Sequence, residues 1–191
     1  DSFSDGGKHE TVAAALAGAA AMQGAGILDV GGESTRPGAK FVPADEEISR
    51  TAPLVAALRA AGHDQIISID TRKAAVAEAA LASGADLVND VSGFTFDEAL
   101  APLCAERAAP LCIMHAQGDP ATMQDAPSYD DVLLDVYDFL AGRVAFLETL
   151  GIPRARMIVD PGIGFGKTLD HNLALLARLS LFHSLGVPVL L

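Results

Sequence analysis

The sequence predicts an α/β protein built on a parallel sheet, and three observations predict it. A short β-rich run followed by an amphipathic Ala/Leu-rich run recurs at a spacing of roughly thirty residues, as expected of β/α units. The β-rich runs are almost continuously apolar, which suits strands covered on both faces. Most of these runs end in polar residues, and in parallel folds the carboxyl ends of all strands lie on one rim. The alternation fits both a doubly wound sheet and a β/α barrel, and the strands visible here do not choose between them. A closed barrel typically takes about 250 residues.

The strands expected are Ile27 to Gly32, Ile66 to Asp70, Asp86 to Asp90, Pro110 to His115, Met157 to Asp160 and Val187 to Leu191. Helical patterns lie between them. "ETVAAALAGAAAMQ" comes first, then "ADEEISRTAPLVAALRAAG", where Pro53 marks a break or a first turn. "KAAVAEAALASG" ends at Gly84 as a C-cap, and "DEALAPLCAER" is short. "SYDDVLLDVYDFLAGRVAFLETLG" is long, with acids early and Gly151 as its stop. "LDHNLALLARLSLFHSLG" is expected as one helix capped by Gly186.

At 191 residues with half of them apolar, the chain is expected to fold as one domain, residues 1–191. A formal net charge of -12 argues against nucleic acid and anionic membrane surfaces as partners. The longest apolar candidate, "TVAAALAGAAAMQGAGILDV", contains Gln23 and Asp29 and reads as a helix feeding a strand, not a membrane span. Cys104 and Cys112 show no zinc spacing and read as reduced core thiols of a cytoplasmic protein, with a structural disulfide as the alternative. The chain opens on "DSFSDGG" and stops on the apolar run "VPVLL", which reads as a fragment, because chain ends normally lie at the surface.

The polar strand ends are Asp29 with "GGESTRPG", Asp70-Thr71-Arg72, Asn89-Asp90, His115 with "AQGDP", and Asp160-Pro161. Any one of them could cap a helix or make a turn. Gathered on one rim, they read as a binding site. Asp70, Asn89 and Asp160 offer carboxylate acceptors and an amide that both donates and accepts. That set suits a flat, nitrogen-rich ring with an amidine-like edge, since a carboxylate takes two parallel N–H bonds. Phosphate oxygens would be repelled there, and would need Thr35, Arg36 and the backbone N–H groups of "GESTRPG" instead.

"VDPGIGFGKTLD" has the look of a phosphate loop but fails both patterns. G-x-x-x-x-G-K-[ST] needs glycine where Pro161 stands, and the alternate glycines 162, 164 and 166 do not fit G-x-G-x-x-G. The glycines are read as letting the backbone approach a flat ring. Lys167 is read as a solvated lysine at a helix start. His115 reads as a satisfied histidine near the site, and His63, His171 and His183 as loop or helix-surface residues without ligand spacing. Asp130, Asp131, Asp135 and Asp138 read as a solvated helix face.

"DSFSDGG", "GGESTRPGA", "SIDT", "LVNDVSG", "MHAQGDPATMQ" and "DPGIGFGKT" resemble, in this order, the dihydropteroate synthases, and the resemblance runs over essentially the whole chain. It implies a TIM-type (β/α)8 barrel, here lacking its first strand and last βα unit. It also implies a transferase that condenses 6-hydroxymethyl-7,8-dihydropterin diphosphate with para-aminobenzoate, releasing pyrophosphate with Mg2+ present. The resemblance assigns Asp70, Asn89, Met114 and Asp160 to the pterin pocket. Thr35 and Arg36 would face the diphosphate and aminobenzoate, and Phe3 and Pro37 would border the aminobenzoate site where sulfonamides compete. Asp70 and Arg36 would carry the chemistry: carboxylates stabilise positive charge on the pterin as diphosphate leaves, and Arg36 neutralises the leaving group. The family's Mg2+-binding Asn would precede Asp1, so no metal ligand is expected within this chain. The family's later cations would follow Leu191, so activity is expected of the parent protein. The family's late-barrel helices imply a homodimer, which the apolar stripe of the long helix leaves open.

Three alternatives stand beside this reading, one of them a purely structural partial barrel with no ligand, against which the converging strand-end acids count. A corrinoid-dependent methyltetrahydrofolate methyltransferase domain shares the pterin pocket but has no use for "DSFSDGG" and "ESTRPGA". A catalytically inactive pterin-binding scaffold would bind pterin and form no product.

Overall fold

The structure is a computed structural model that describes residues 12–22, 24–36, 38–118 and 122–191. Five strands form one sheet: β1 (Ile27–Gly31), β2 (Ile66–Asp70), β3 (Leu87–Asp90), β4 (Leu111–Met114) and β5 (Met157–Asp160). Every pairing is parallel, and the spatial order is the chain order, β1-β2-β3-β4-β5. A doubly wound sheet reverses its order at a switch point, whereas a barrel advances in one direction. The unreversed order therefore decides for the TIM-type barrel, of which these strands are an arc.

Among the described residues, six α-helices cover the outside: α1 (Val12–Ala21), α2 (Ala44–Ala60), α3 (Ala74–Ala82), α4 (Leu100–Glu106), α5 (Val132–Thr149) and α6 (Leu169–Ala177). Alternation along each strand sends Leu28, Val30, Ile67, Ile69, Val88, Ile113 and Val159 to the helix side, where they join Val55, Leu58, Ala77, Leu140 and Val144 in one core. Removing this apolar surface from water is the main driving term for the layer, about 25 cal/mol for each Å² buried. Cys104 and Cys112 are buried and unpaired. Burial pushes the Cys104 thiol up to about 12 and Cys112 upward as well, so both behave as packing groups.

Local chemistry sets several boundaries. Helix α2 runs unbroken through Pro53, in place of the expected break or first turn, and Pro53 lies on the exposed side of the helix. Asp86 stays outside β3, because its carboxylate accepts the Ile67 N–H at 2.8 Å. The last predicted helix divides at Arg178 into α6 and a 3-10 segment, Leu179–Leu185. A three-residue repeat aligns Phe182 with Leu185, and both are buried; Gly186 then closes the segment at φ 71°. The predicted strand Val187–Leu191 meets β5 in one parallel bridge, Val159 with Val189, held by Val159 N–H to Pro188 O and Leu190 N–H to Val159 O.

Candidate active site

Side chains in register on neighbouring parallel strands leave the sheet on the same face. The register pairs Gly31 with Asp70, Asp70 with Asn89, Asn89 with Cys112 and Met114 with Asp160. Asp70, Asn89, Met114 and Asp160 therefore share the face opposite the helix-covered core, at the carboxyl ends of four adjacent strands. Asp29 lies further down the same face, in register with Ser68.

Asp70 is the most confined of these acids, 8% exposed, and its Oδ1 has no hydrogen-bond partner among the described residues. Burial raises its pKa well above the usual carboxylate range, and the charges of Asp29, Asp90 and Glu47 push the same way. Asp29 keeps contact with solvent, but the surrounding protein strips away enough water to raise its pKa too. Asn89 donates its Nδ2–H to Asp29 Oδ2 at 3.4 Å. Asp160 is also raised by burial; it accepts the Gly162 N–H on Oδ1 at 2.7 Å, and that bond and Lys167 oppose the shift. A row of under-solvated acceptors is an incomplete arrangement: donors arriving from a ligand would replace the water these acids have lost.

The neighbouring strand-end acid behaves differently. Asp90 turns to the core side, where it accepts Ser92 N–H and Oγ–H on Oδ1 and Phe94 N–H on Oδ2. It folds the loop after β3 and leaves the site to Asn89.

Gly162 and Gly166 of the glycine loop pack against the loop that follows β4. A Cβ on Gly162, at φ 69°, would overlap the His115 carbonyl oxygen, and one on Gly166, at φ 63°, would overlap that of Gln117. These two glycines thus allow two backbones to touch, where the sequence reads them as letting the backbone approach a flat ring. The expectation for Lys167 is corrected: it is 3% exposed, not solvated. Its Nζ donates to the carbonyls of Gly162 and Phe165 at 2.9 Å and His115 at 3.2 Å, and meets His115 Nδ1 at 2.9 Å. The lysine points into its own loop, so it cannot grip a phosphate. Burial and the Lys167 charge push the His115 pKa down to about 3, and burial lowers Lys167 to about 7. His115 is thus the satisfied, neutral histidine expected from its position.

Thr35 and Arg36 lie on the loop leaving the carboxyl end of β1, at the same end of the sheet as the acids. Thr35 is buried, and Arg36 accepts the Ala39 N–H on its carbonyl at 3.0 Å. Phe3 and Pro37 lie outside the described residues. The sequence reading missed the buried ions under this loop, Glu33, Glu47 and Lys73. The missed signal is the charged residue in an otherwise small-residue turn, "GGEST". Of the other histidines, His171 completes a capping box with Thr168 at the start of α6, and His63 Nδ1 meets Gln65 Oε1. The acids before α5 also cap: Asp131 accepts from Leu133 and Leu134 N–H.

Residues 1–191 match the family described as pterin binding enzyme. The chain is 50% identical over 192 residues to a probable bifunctional folylpolyglutamate synthase/dihydropteroate synthase of Haloferax volcanii, covering 100% of this chain and 23% of that protein. It is 45% identical over 192 residues to the dihydropteroate synthase of Escherichia coli K12, covering 100% of this chain and 67% of that enzyme. Superposition on the crystal structure of the Yersinia pestis dihydropteroate synthase with a sulfonamide drug complex gives a TM-score of 0.93 at 42% identity, over 99% of this chain and 69% of that one. This chain therefore spans about a quarter of the bifunctional protein and about two thirds of the other two. The match over its whole length, joined to the acid-and-amide face on the strand ends, places the chain in the pterin-binding enzyme family.

Proposed function

We propose that this chain carries the pterin-binding part of a dihydropteroate synthase, which joins 6-hydroxymethyl-7,8-dihydropterin diphosphate to para-aminobenzoate and releases pyrophosphate. The observation that carries the reading is the shared face of Asp70, Asn89 and Asp160, with a buried oxygen on Asp70 that has no partner among the described residues. Asp70 and Asp160 accept N–H donors from the amidine-like edge of the pterin, Asn89 donates and accepts beside them, and Met114 forms an apolar wall.

In this reading, the bond between the pterin methylene and the diphosphate oxygen breaks, and the electron pair leaves with pyrophosphate. Positive charge spreads into the ring, where the carboxylates stabilise it more strongly than in water. The aromatic amine then forms the new C–N bond and releases a proton. Arg36 balances charge on the departing diphosphate and Thr35 contributes a hydroxyl, with Phe3 and Pro37 bordering the amine. The sulfonamide drug complex of the Yersinia pestis enzyme supports the assignment.

Mg2+ belongs to the proposal through the substrate. The diphosphate oxygens of that substrate are hard ligands that suit the ion. When bound, it would neutralise the leaving group. A homodimer is also proposed: the apolar stripe of α5 is spent on the core, but Leu169, Leu173 and Leu176 leave an exposed stripe on α6. Among the described residues no helix is long and apolar enough to cross a membrane, and a cytoplasmic location is proposed on the two unpaired thiols.

The test is product formation by the full-length protein. Supplied with pterin diphosphate, para-aminobenzoate and Mg2+, it is expected to release pyrophosphate in equal amount to the aminobenzoate consumed. Pterin binding without turnover would support the inactive scaffold instead.

A further inference from the structure

Four charged side chains are buried together beneath the loop that carries Thr35 and Arg36: Glu33, Glu47, Arg72 and Lys73. Lys73 Nζ forms ion pairs with Glu33 Oε2 and, at 2.5 Å, with Glu47 Oε2. Arg72 Nη2 reaches Glu33 Oε1 at 3.4 Å. Glu47 Oε1 accepts the Thr71 hydroxyl at 2.7 Å, so the group is balanced in charge and satisfied in hydrogen bonds. Phe41 and Phe96 lie against Lys73 and Arg72, at 4.8 and 4.2 Å from the cations.

This cluster closes the base of the loop. The Val42 N–H donates to Glu33 Oε1 at 3.3 Å, bringing the two ends of the 34–41 segment together. At the near end, Arg50 Nη1 donates to the Gly32 carbonyl at 2.8 Å, and Gly32 sits so tightly on α2 that a Cβ there would come within 2.8 Å of Glu47 Cγ. The other half of the lock follows Asp70 directly in sequence. Thr71 donates its N–H to Asn89 O at 3.0 Å, which ties the β2 loop to β3. One lysine thus joins the loop of Arg36 to the strand ends of Asp70 and Asn89.

A purely structural role is a poor explanation. Replacing buried ions by apolar packing is often neutral or stabilising, whereas an ion cluster fixes one geometry and penalises the others. We infer that Glu33, Lys73 and Glu47 are positioning residues that hold the β1 loop in register with the acid-and-amide face, so that Arg36 and Thr35 meet the leaving group at the distance set by Asp70. The inference rests on the roles proposed above for Arg36 and Thr35.

The test uses Glu33→Gln in the full-length protein, which keeps an acceptor for Val42 but weakens the ion pair and leaves Lys73 held by Glu47. Turnover is expected to fall roughly tenfold or more while pterin affinity by calorimetry stays within about threefold. In a double-mutant cycle, Arg36→Ala is expected to cost much less in the Glu33→Gln background than in wild type, because both changes remove one function. Fully additive losses, or unchanged turnover in the folded variant, overturn the inference. Hydrogen exchange supplies a readout independent of catalysis: the Val42 amide is expected to exchange at least about tenfold faster in Glu33→Ala, with β2 and β3 unchanged. Equal exchange at Val42 overturns the loop anchor. Failure of wild-type protein to make product overturns the function proposed for the site, and leaves the anchor to be judged by exchange alone.

Discussion

Asp70 and Asn89 are register partners on adjacent parallel strands, so an acid and an amide leave the sheet side by side, and the acid carries a buried oxygen with no hydrogen-bond partner among the described residues. Natural cores rarely leave such an atom unmatched, because an unpaired buried acceptor costs about 1–3 kcal/mol. Here the mismatch sits where a ligand would correct it.

Asp70→Asn is therefore expected to stabilise the fold and weaken pterin binding. The folded pKa of Asp70 is raised above 3.8, so the folded protein retains a proton that the unfolded chain has released. Stability falls as pH rises from that value through the folded pKa, and the charged form is a cost at neutral pH. Thermal unfolding at pH 7 should show a higher Tm, by about 2–4 °C for each kcal/mol recovered. Calorimetry should show pterin affinity reduced roughly tenfold or more. A lower Tm with normal affinity would contradict both halves.

Arg36→Ala is expected to lower turnover by roughly a hundredfold, since the role proposed for Arg36 is to balance charge on the departing diphosphate. Pterin affinity should change by less than about threefold. Steady-state kinetics beside calorimetry separates the two, and a normal kcat would remove Arg36 from the chemistry.

His115 makes the fold acid-sensitive. Its folded pKa is about 3 against an ordinary 6.5, so the unfolded chain binds the extra proton between those values. The stability it contributes is complete above pH 6.5 and is lost as pH falls toward 3, at up to about 1.4 kcal/mol per pH unit. His115→Gln should flatten that slope in denaturant titrations taken across the window. An unchanged slope would show that His115 is protonated in the fold.

The three alternate glycines should differ sharply. Gly162→Ala and Gly166→Ala meet backbone oxygen at a positive φ and should cost about 2–4 kcal/mol, measured by denaturant unfolding. Gly164→Ala meets nothing within 4 Å, and should cost only about 1 kcal/mol for its φ of 88°. Equal costs would contradict the packing of this loop on the one after β4.

The sequence made the strand ends legible for a simple reason: each apolar run stops where its side chains stop packing, and Asp70, Asn89 and Asp160 stand at those stops. It could not choose barrel from doubly wound sheet, because the two have the same local periodicity and differ only in spatial strand order. Nor could it show the two faces of "VND", where Asn89 turns to the face of Asp70 and Asp90 to the loop after β3. Lys167 and Glu33 were opaque for another reason. A charged residue in a turn is normally solvated, and only the approach of a distant backbone or a distant ion makes burial tolerable. Glu47 is hidden inside an acidic first turn of α2, "ADEE", where Asp45 and Glu46 are exposed and Glu47 is 0% exposed.

In the pocket proposed here, side chains from β2, β3 and β5 grip one pterin together. Calorimetric titration of 6-hydroxymethylpterin into full-length wild type, Asp70→Asn, Asn89→Ala and Asp160→Asn measures that grip. A single site in wild type, weakened roughly tenfold or more by each substitution, is the predicted result. Wild-type affinity in all the variants would contradict it.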